Sequence, residues 1–197
     1  MDRFNKQLEF IKTIDEMKKV LRRSLNISTK QRENDAEHSW HIAVMAVLLS
    51  EYASPEVDVN YAVKMCLVHD LVEVYAGDTF CWDKEGNLTK EQREKEASEK
   101  LFAILPNDQG EDIKNTWLEF DAHKTPTSLF ANALDRLQPF ILNVEADGHT
   151  WKLAHTTYSQ IMGRFSLVEK ALPIAWNYIV ENIERAISKG WIIDDRK

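Results

Sequence analysis

Two cysteines among 197 residues, Cys66 and Cys81, are neither numerous enough nor suitably spaced to suggest a disulfide framework or a thiolate metal site. Long apolar runs are missing too. None approaches the roughly 18 residues of a membrane span. The segment Met1-Asp2-Arg3-Phe4-Asn5-Lys6 enters an amphipathic pattern without the apolar core of a signal peptide, so the cytoplasm is the expected compartment. Positive charge is not in surplus: 25 Lys and Arg against 32 Asp and Glu give a formal net charge of -7. A broad basic surface for nonspecific nucleic-acid binding is therefore not expected. A small anion could still be held where a metal and one or two arginines make a local positive site. Strand signals, sequence repeats, low-complexity tracts and domain linkers are scarce or absent. With 44% hydrophobic residues the chain can bury a proper core, and one all-α domain over residues 1–197 is expected.

What is present concentrates in Leu67-Val68-His69-Asp70-Leu71-Val72-Glu73, where an imidazole and two carboxylates sit inside an apolar run. Read as a helix from about Asn60, the stripe Ala62, Met65, Cys66, His69, Val72, Glu73, Ala76 recurs at three- and four-residue steps. His69 and Glu73 then lie one turn apart on the core-facing side, with Asp70 beside them and Cys66 in the core. Burying such groups is costly unless they are paired or bind a cation. A neutral imidazole next to a carboxylate is a natural pair of ligands for a divalent metal.

Three further features extend the pattern: Glu37-His38 on an earlier amphipathic segment, Ala133-Leu134-Asp135-Arg136-Leu137 on a later one, and Gly77-Asp78 closing the central helix. Together they resemble the H…HD…D signature of the HD-domain metal-dependent phosphohydrolase superfamily. With Ala36-Glu37-His38 and His69-Asp70-x-x-Glu73-x-x-x-Gly77-Asp78, the chain is similar to the branch of YfbR-type 5'-nucleotidases and HD domain-containing protein 2. The resemblance implies an HD-domain helical bundle with a single metal site between central helices. Its motif core would span about 23–140, with C-terminal helices at about 148–190 packing on it. His38, His69, Asp70 and Asp135 would hold one divalent metal ion (Mn, Co, Fe, Ni, Zn or Mg). The implied reaction is hydrolysis of (deoxy)nucleoside 5'-monophosphates to nucleoside and phosphate.

The resemblance also implies that Glu73 orients or deprotonates the attacking water and that Asp78 protonates the leaving oxygen or holds the sugar. Arg23 corresponds to the phosphate-binding arginine, with Arg22 the alternative one residue earlier. A planar guanidinium can hold two phosphate oxygens at once. Where nucleotidases of this branch follow that arginine with an aromatic residue that helps select deoxyribose, this chain has Ser24, which leaves the sugar preference open. A homodimer is implied as well. Two-metal phosphodiesterases of the superfamily draw extra histidines from the interval between the His-Asp pair and the last Asp, and here that interval holds only His123. Phosphodiesterase or pyrophosphohydrolase action on another nucleotide, and a non-catalytic metal- or nucleotide-binding sensor, are the alternatives.

Elsewhere, residues 3–22 read as a packing helix with Phe4, Leu8, Ile11, Ile14, Met17 and Leu21 on one face, followed by a loop. Asn34 and Glu37 suggest a capping box opening a helix whose apolar face continues through Trp40, Val44, Val47 and Leu48. His41 is assigned a surface or packing role. Gly77 suits a left-handed C-cap. Residues 80–88 read as a loop, with Thr89 and Gln92 as a second capping box. Thr125-Pro126 reads as an N-cap with proline at the first helical position, which places Asp135 well inside a helix. The aromatics and histidines of residues 148–165 read as core or interface.

Overall fold

A computed structural model describes residues 2–196. Within it the chain forms α1 (Arg3–Ile14), a hairpin of β1 (Leu21–Leu25) and β2 (Arg32–Asn34), α2 (Asp35–Leu48), α3 (Val59–Val68) and α4 (Glu73–Ala76). There follow α5 (Lys84–Phe102), α6 (Asn107–Ala122), α7 (Pro126–Glu145), α8 (His149–Leu153), α9 (Tyr158–Ala171) and α10 (Trp176–Ser188). The fold is all-α apart from the small antiparallel hairpin. No helix among the described residues is long and apolar enough to cross a membrane.

The helix α7 is the axis of the bundle. Phe130, Ala131, Ala133, Leu134, Leu137 and Phe140 are all buried, so it is apolar on most sides, as a helix inside a core must be. It packs against α2, α3, α6 and α9. Its start follows the expected chemistry: Thr125 accepts the Ser128 N–H and Pro126 takes the first position. The helix continues through Pro139 to Glu145, with Asp135 near its middle.

The expected capping box at α2 is present, with Asn34 Oδ1 accepting the Glu37 N–H and Glu37 Oε2 accepting the Asn34 N–H, both at 3.0 Å. The buried face is a different one. Ile42, Met45 and Ala46 are enclosed, whereas Trp40, Val44, Val47 and Leu48 are exposed, because α3 and α7 cover the opposite side of α2.

Three other expectations change. The first helix stops at Ile14 and tightens to a 3-10 turn over Asp15–Lys19, and residues 21–25 form a strand. Phe10 and Met17 bury while Phe4, Ile11 and Leu21 do not. The helix α5 begins at Lys84, not after Leu88, because Asp83 accepts the Gly86 N–H at 3.0 Å and caps it there. Thr89 therefore lies inside that helix.

The central helix also breaks at the His-Asp pair. After α3 the backbone changes to three-residue bonds, Leu71 N–H to Val68 O at 3.1 Å and Glu73 N–H to Asp70 O at 2.9 Å, before α4 begins. The break falls between two apolar clusters. Met65 and Cys66 belong to the one around α7, and Val68, Leu71 and Val72 to the one under α1, α5 and α6. The stripe of buried residues expected from the sequence survives the break. Consecutive side chains on an unbroken helix diverge by about 100°, and at this turn His69 Nε2 lies 3.1 Å from Asp70 Oδ2.

Gly77 ends α4 at a positive φ, as expected, but its ψ of 151° lies outside the left-handed helical region. That combination is essentially restricted to glycine. A Cβ there would meet nothing within 4 Å, so Gly77→Ala tests conformation alone. We expect it to cost about 1–3 kcal/mol, read as a lower urea midpoint with an unchanged slope.

Candidate metal centre

His38 enters from the first turns of α2 and is fully buried. Its Nδ1 lies 3.0 Å from Gln138 Oε1 and its Nε2 3.0 Å from Asp135 Oδ1. His69 Nδ1 bonds the Cys66 carbonyl at 2.9 Å, which leaves Nε2 at 3.1 Å from Asp70 Oδ2 and 3.6 Å from Asp135 Oδ1. Asp70 Oδ2 is in turn 4.0 Å from His38 Nε2. The four ligands expected from the sequence therefore converge, three of them with donor atoms within 4.8 Å of one another.

The donor set fits a divalent cation. Two imidazole nitrogens and two carboxylates suit Mn, Co, Fe, Ni or Zn, and both rings have Nδ1 tied down, as metal-bound histidines usually do. The buried Nε2 of His69 has no partner in hydrogen-bonding geometry. At His38 the amide orientation is informative. Gln138 Nε2 donates to Glu33 Oε1 at 2.6 Å, so Gln138 must turn its oxygen toward His38 and accept from Nδ1–H. The unprotonated Nε2 then faces a carboxylate oxygen, acceptor against acceptor, a contact that a cation between them relieves.

The titration directions show how strongly the carboxylates draw positive charge to this point. Burial drives His38 down, helped by the Arg22 charge. Burial also opposes a charged His69, but Asp70 and Asp135 prevail and bring it up to about 10. Burial works against charge on Asp70 and Asp135 as well, yet His69 and Arg22 hold Asp70 below the usual carboxylate range. The two imidazoles facing Asp135 hold it below that range too.

The arginine that meets this cluster is Arg22. Side chains alternate along a strand, so Arg22 and Ser24 turn inward while Arg23 is exposed at the rim of the same cavity. A Nη1 atom of Arg22 is 2.7 Å from Asp70 Oδ2, 3.5 Å from Asp35 Oδ1 and 4.0 Å from Asp78 Oδ1. Its Nε is 3.8 Å from Glu33 Oε2. Glu73, Asp78 and Asp35 form a second carboxylate trio with atoms within 4.8 Å. Burial and the charges of Asp70, Asp35 and Asp78 push Glu73 well above its ordinary range. Burial, then the Asp70 charge, raises Asp35 to about 7.

Glu33, Asp35 and Gln138 were not singled out by the sequence. Glu33 and Asp35 flank an N-cap, where acids are ordinarily read as helix-dipole partners, and Gln138 carries no motif. Their alternation around Asn34 was the available signal. His123 ends α6 in a left-handed conformation, exposed at the surface. His41, expected to pack, lies 3.1 Å from Gln138 Nε2.

Arg22, Arg23, Ser24, Asp70, Glu73, Asp78 and Asp135 line one end of a cavity of about 200 Å³. Trp82, Phe140, Trp151 and Phe165 supply apolar walls, and Lys90, Arg136 and Arg164 add positive charge. The aromatics of residues 148–165, read from sequence as core, thus also reach the site.

Because Gln138 holds His38 in its ligating orientation, Gln138→Leu should weaken divalent-metal affinity about 10–100-fold with the fold retained. Competition against a chromophoric chelator measures this. An unchanged affinity would show that His38 is oriented without the amide.

A family model described as HD domain matches residues 14–176. The chain is 28% identical over 135 residues to 5'-deoxynucleotidase HDDC2 of Danio rerio, covering 68% of this chain and 66% of that protein. It is 26% identical over 132 residues to the Homo sapiens protein of the same name, covering 66% and 63%. The match therefore spans just under two thirds of these relatives' length. A crystal structure of a predicted metal-dependent phosphohydrolase from Magnetospirillum magnetotacticum MS-1 superposes with a TM-score of 0.92 at 40% identity, covering 97% of this chain and 96% of that one. A conserved hypothetical protein from Pyrococcus furiosus, at 20% identity and a TM-score of 0.56, shares the fold.

Proposed function

The chain belongs to the HD domain family, and from that membership we propose that it is a metal-dependent 5'-nucleotidase acting on (deoxy)nucleoside 5'-monophosphates. The observation that carries this reading is the convergence of His38 and His69 on Asp70 and Asp135, two carboxylates that line a cavity together with Arg22, Glu73 and Asp78. Relatives named 5'-deoxynucleotidases support the substrate class.

When bound, one divalent ion would polarise the phosphoryl group, activate water and orient both. The chain's own residues do the rest. Arg22 faces the position of the phosphate and offsets its charge, and Arg23 reaches the rim of the same cavity. Glu73, made more basic by burial and its acidic neighbours, takes the proton of the attacking water. As oxygen adds to phosphorus, the bond to the sugar oxygen breaks, and Asp78 delivers a proton to that leaving oxygen or holds the sugar. Ser24 is buried beside Arg22, so no aromatic side chain from this strand position presses on the sugar.

We read residues 1–197 as one domain, since β1, α4, α5, α7, α8 and α9 all contribute to the one cavity. The cytoplasm is the proposed compartment, in keeping with two unpaired cysteines. A homodimer is proposed through the exposed α2 face of Trp40, Val44, Val47 and Leu48, an apolar stripe of the kind that marks interaction sites. Sedimentation should give a dimer that Val44→Glu converts to monomer, and a wild-type monomer at micromolar concentration would overturn that assembly.

The nucleotidase reading is tested by phosphate release from ribo- and deoxyribonucleoside 5'-monophosphates, using chelated protein resupplied with Mn, Co, Mg or Zn. Release should depend on metal and be lost in Asp70→Ala. Glu73→Gln should lower kcat by about 10²–10⁴ with bound metal retained. Metal binding without release from any nucleotide would favour the sensor.

A further inference from the structure

Two arginines in the cavity are surplus to the hydrolysis of a monophosphate. Arg136 on α7 and Arg164 on α9 both line it and are both half-buried. They are tied together, because Arg136 Nη1 donates to the Arg164 carbonyl at 3.0 Å. Arg3, Arg22 and Arg196 each meet a carboxylate. Among the described residues, neither Arg136 nor Arg164 has a carboxylate within 4.0 Å.

The nearest acid by sequence, Asp135, is engaged by His38 and His69. Successive residues of a helix point about 100° apart, so the guanidinium of Arg136 diverges from the metal ligand beside it. Cys81 and Trp82 line the cavity with these arginines, and neither brings a negative carboxylate. Burial, and then the Arg164 charge, disfavours the charged form of Arg136. Two like charges placed together, partly desolvated, in a chain of net charge -7 are unfavourable until an anion joins them.

We infer that Arg136 and Arg164 bind a second phosphoryl group of the substrate, distinct from the phosphate at the metal centre. The inference rests on the nucleotidase reading and narrows it to a nucleotide with two phosphoryl groups. A guanidinium pair suits such a group through forked, charge-assisted hydrogen bonds. The aromatic walls Trp82, Phe140, Trp151 and Phe165 offer the intervening base and sugar an apolar surface. The second phosphoryl group is either on the sugar or next in the chain from the 5' oxygen, and the two arrangements are separable.

The test uses the metal-loaded full chain and three ligands of one base: the deoxynucleoside 5'-monophosphate, its 3',5'-bisphosphate and its 5'-diphosphate. Release of phosphate, or of pyrophosphate from the diphosphate, gives kcat and KM, and calorimetry in the Glu73→Gln background gives binding without turnover. One doubly phosphorylated ligand should exceed the monophosphate about tenfold in kcat/KM, through KM, and bind correspondingly tighter. Preference for the bisphosphate puts the second group on the sugar, and preference for the diphosphate puts it in the chain. In Arg136→Ala/Arg164→Ala the ratio between ligands should fall toward one. Arg164→Lys, which keeps charge and bulk, should retain part of it and guards against misfolding of the double variant. A monophosphate handled as well as either partner, or a ratio indifferent to the arginines, would overturn the inference while leaving the nucleotidase intact. If no ligand releases phosphate, the nucleotidase reading fails, and the binding ratio alone decides whether the arginines take a second phosphoryl group.

Discussion

Negative charge gathered in a place with little water is the constraint on which the rest of this molecule depends. Glu33, Asp35, Asp70 and Glu73 are buried, Asp78 and Asp135 are nearly so, and one guanidinium, that of Arg22, stands among them. Carboxylates in such surroundings must be neutralised by protons or matched by cations. The molecule does both. Burial and acidic neighbours raise the proton affinity of Glu73 and Asp35, while Asp70 and Asp135 keep their charge by facing two imidazoles. A divalent ion between those imidazoles and carboxylates completes the same balance.

Holding that arrangement explains features that would otherwise look like defects of a helical bundle. The central helix breaks at His69, where the consecutive side chains of His69 and Asp70 meet at 3.1 Å. Gly77 adopts a conformation open to almost no other residue, and the chain beyond it returns Asp78 to the site. The short hairpin interrupts an otherwise helical chain, and its two-residue alternation separates Arg22 from Arg23. Arg93 secures the turn from the other side, donating to the Ala76 carbonyl at 2.5 Å and the Thr79 hydroxyl at 2.6 Å. The apolar clusters on either side of the His-Asp pair fix where these pieces meet.

The ion-pair chemistry has a directional order. Glu33 orients the Gln138 amide, the amide orients His38, and His38 presents its free nitrogen to Asp135. The first two steps are buried hydrogen bonds, each with one acceptable polarity, so a change at Glu33 is transmitted through the Gln138 amide to His38. The wider cavity adds aromatic walls and a second positive end, which makes its two ends chemically unlike. One end is lined by carboxylates around Arg22, and the other by Arg136 and Arg164.

The sequence by itself determined the helical class, the caps at Asn34 and Thr125 and the buried stripe through His69 and Glu73. These follow from local chemistry: capping needs a side chain three residues from its partner, and a helical stripe needs only spacing. Tertiary structure decided what depends on which surfaces meet. Whether Trp40 or Ile42 is buried is set by the side of α2 that α3 and α7 occupy, and both sides are apolar enough to serve. Whether Arg22 or Arg23 faces the carboxylates is set by pairing with β2, which turned an expected helix end into a strand. Asp83 outcompeted Thr89 as a cap because the loop brought its side chain to the Gly86 N–H. Glu33, Gln138, Arg136 and Arg164 gained their places only through packing, since their neighbours are distant in the chain and no local pattern encodes them.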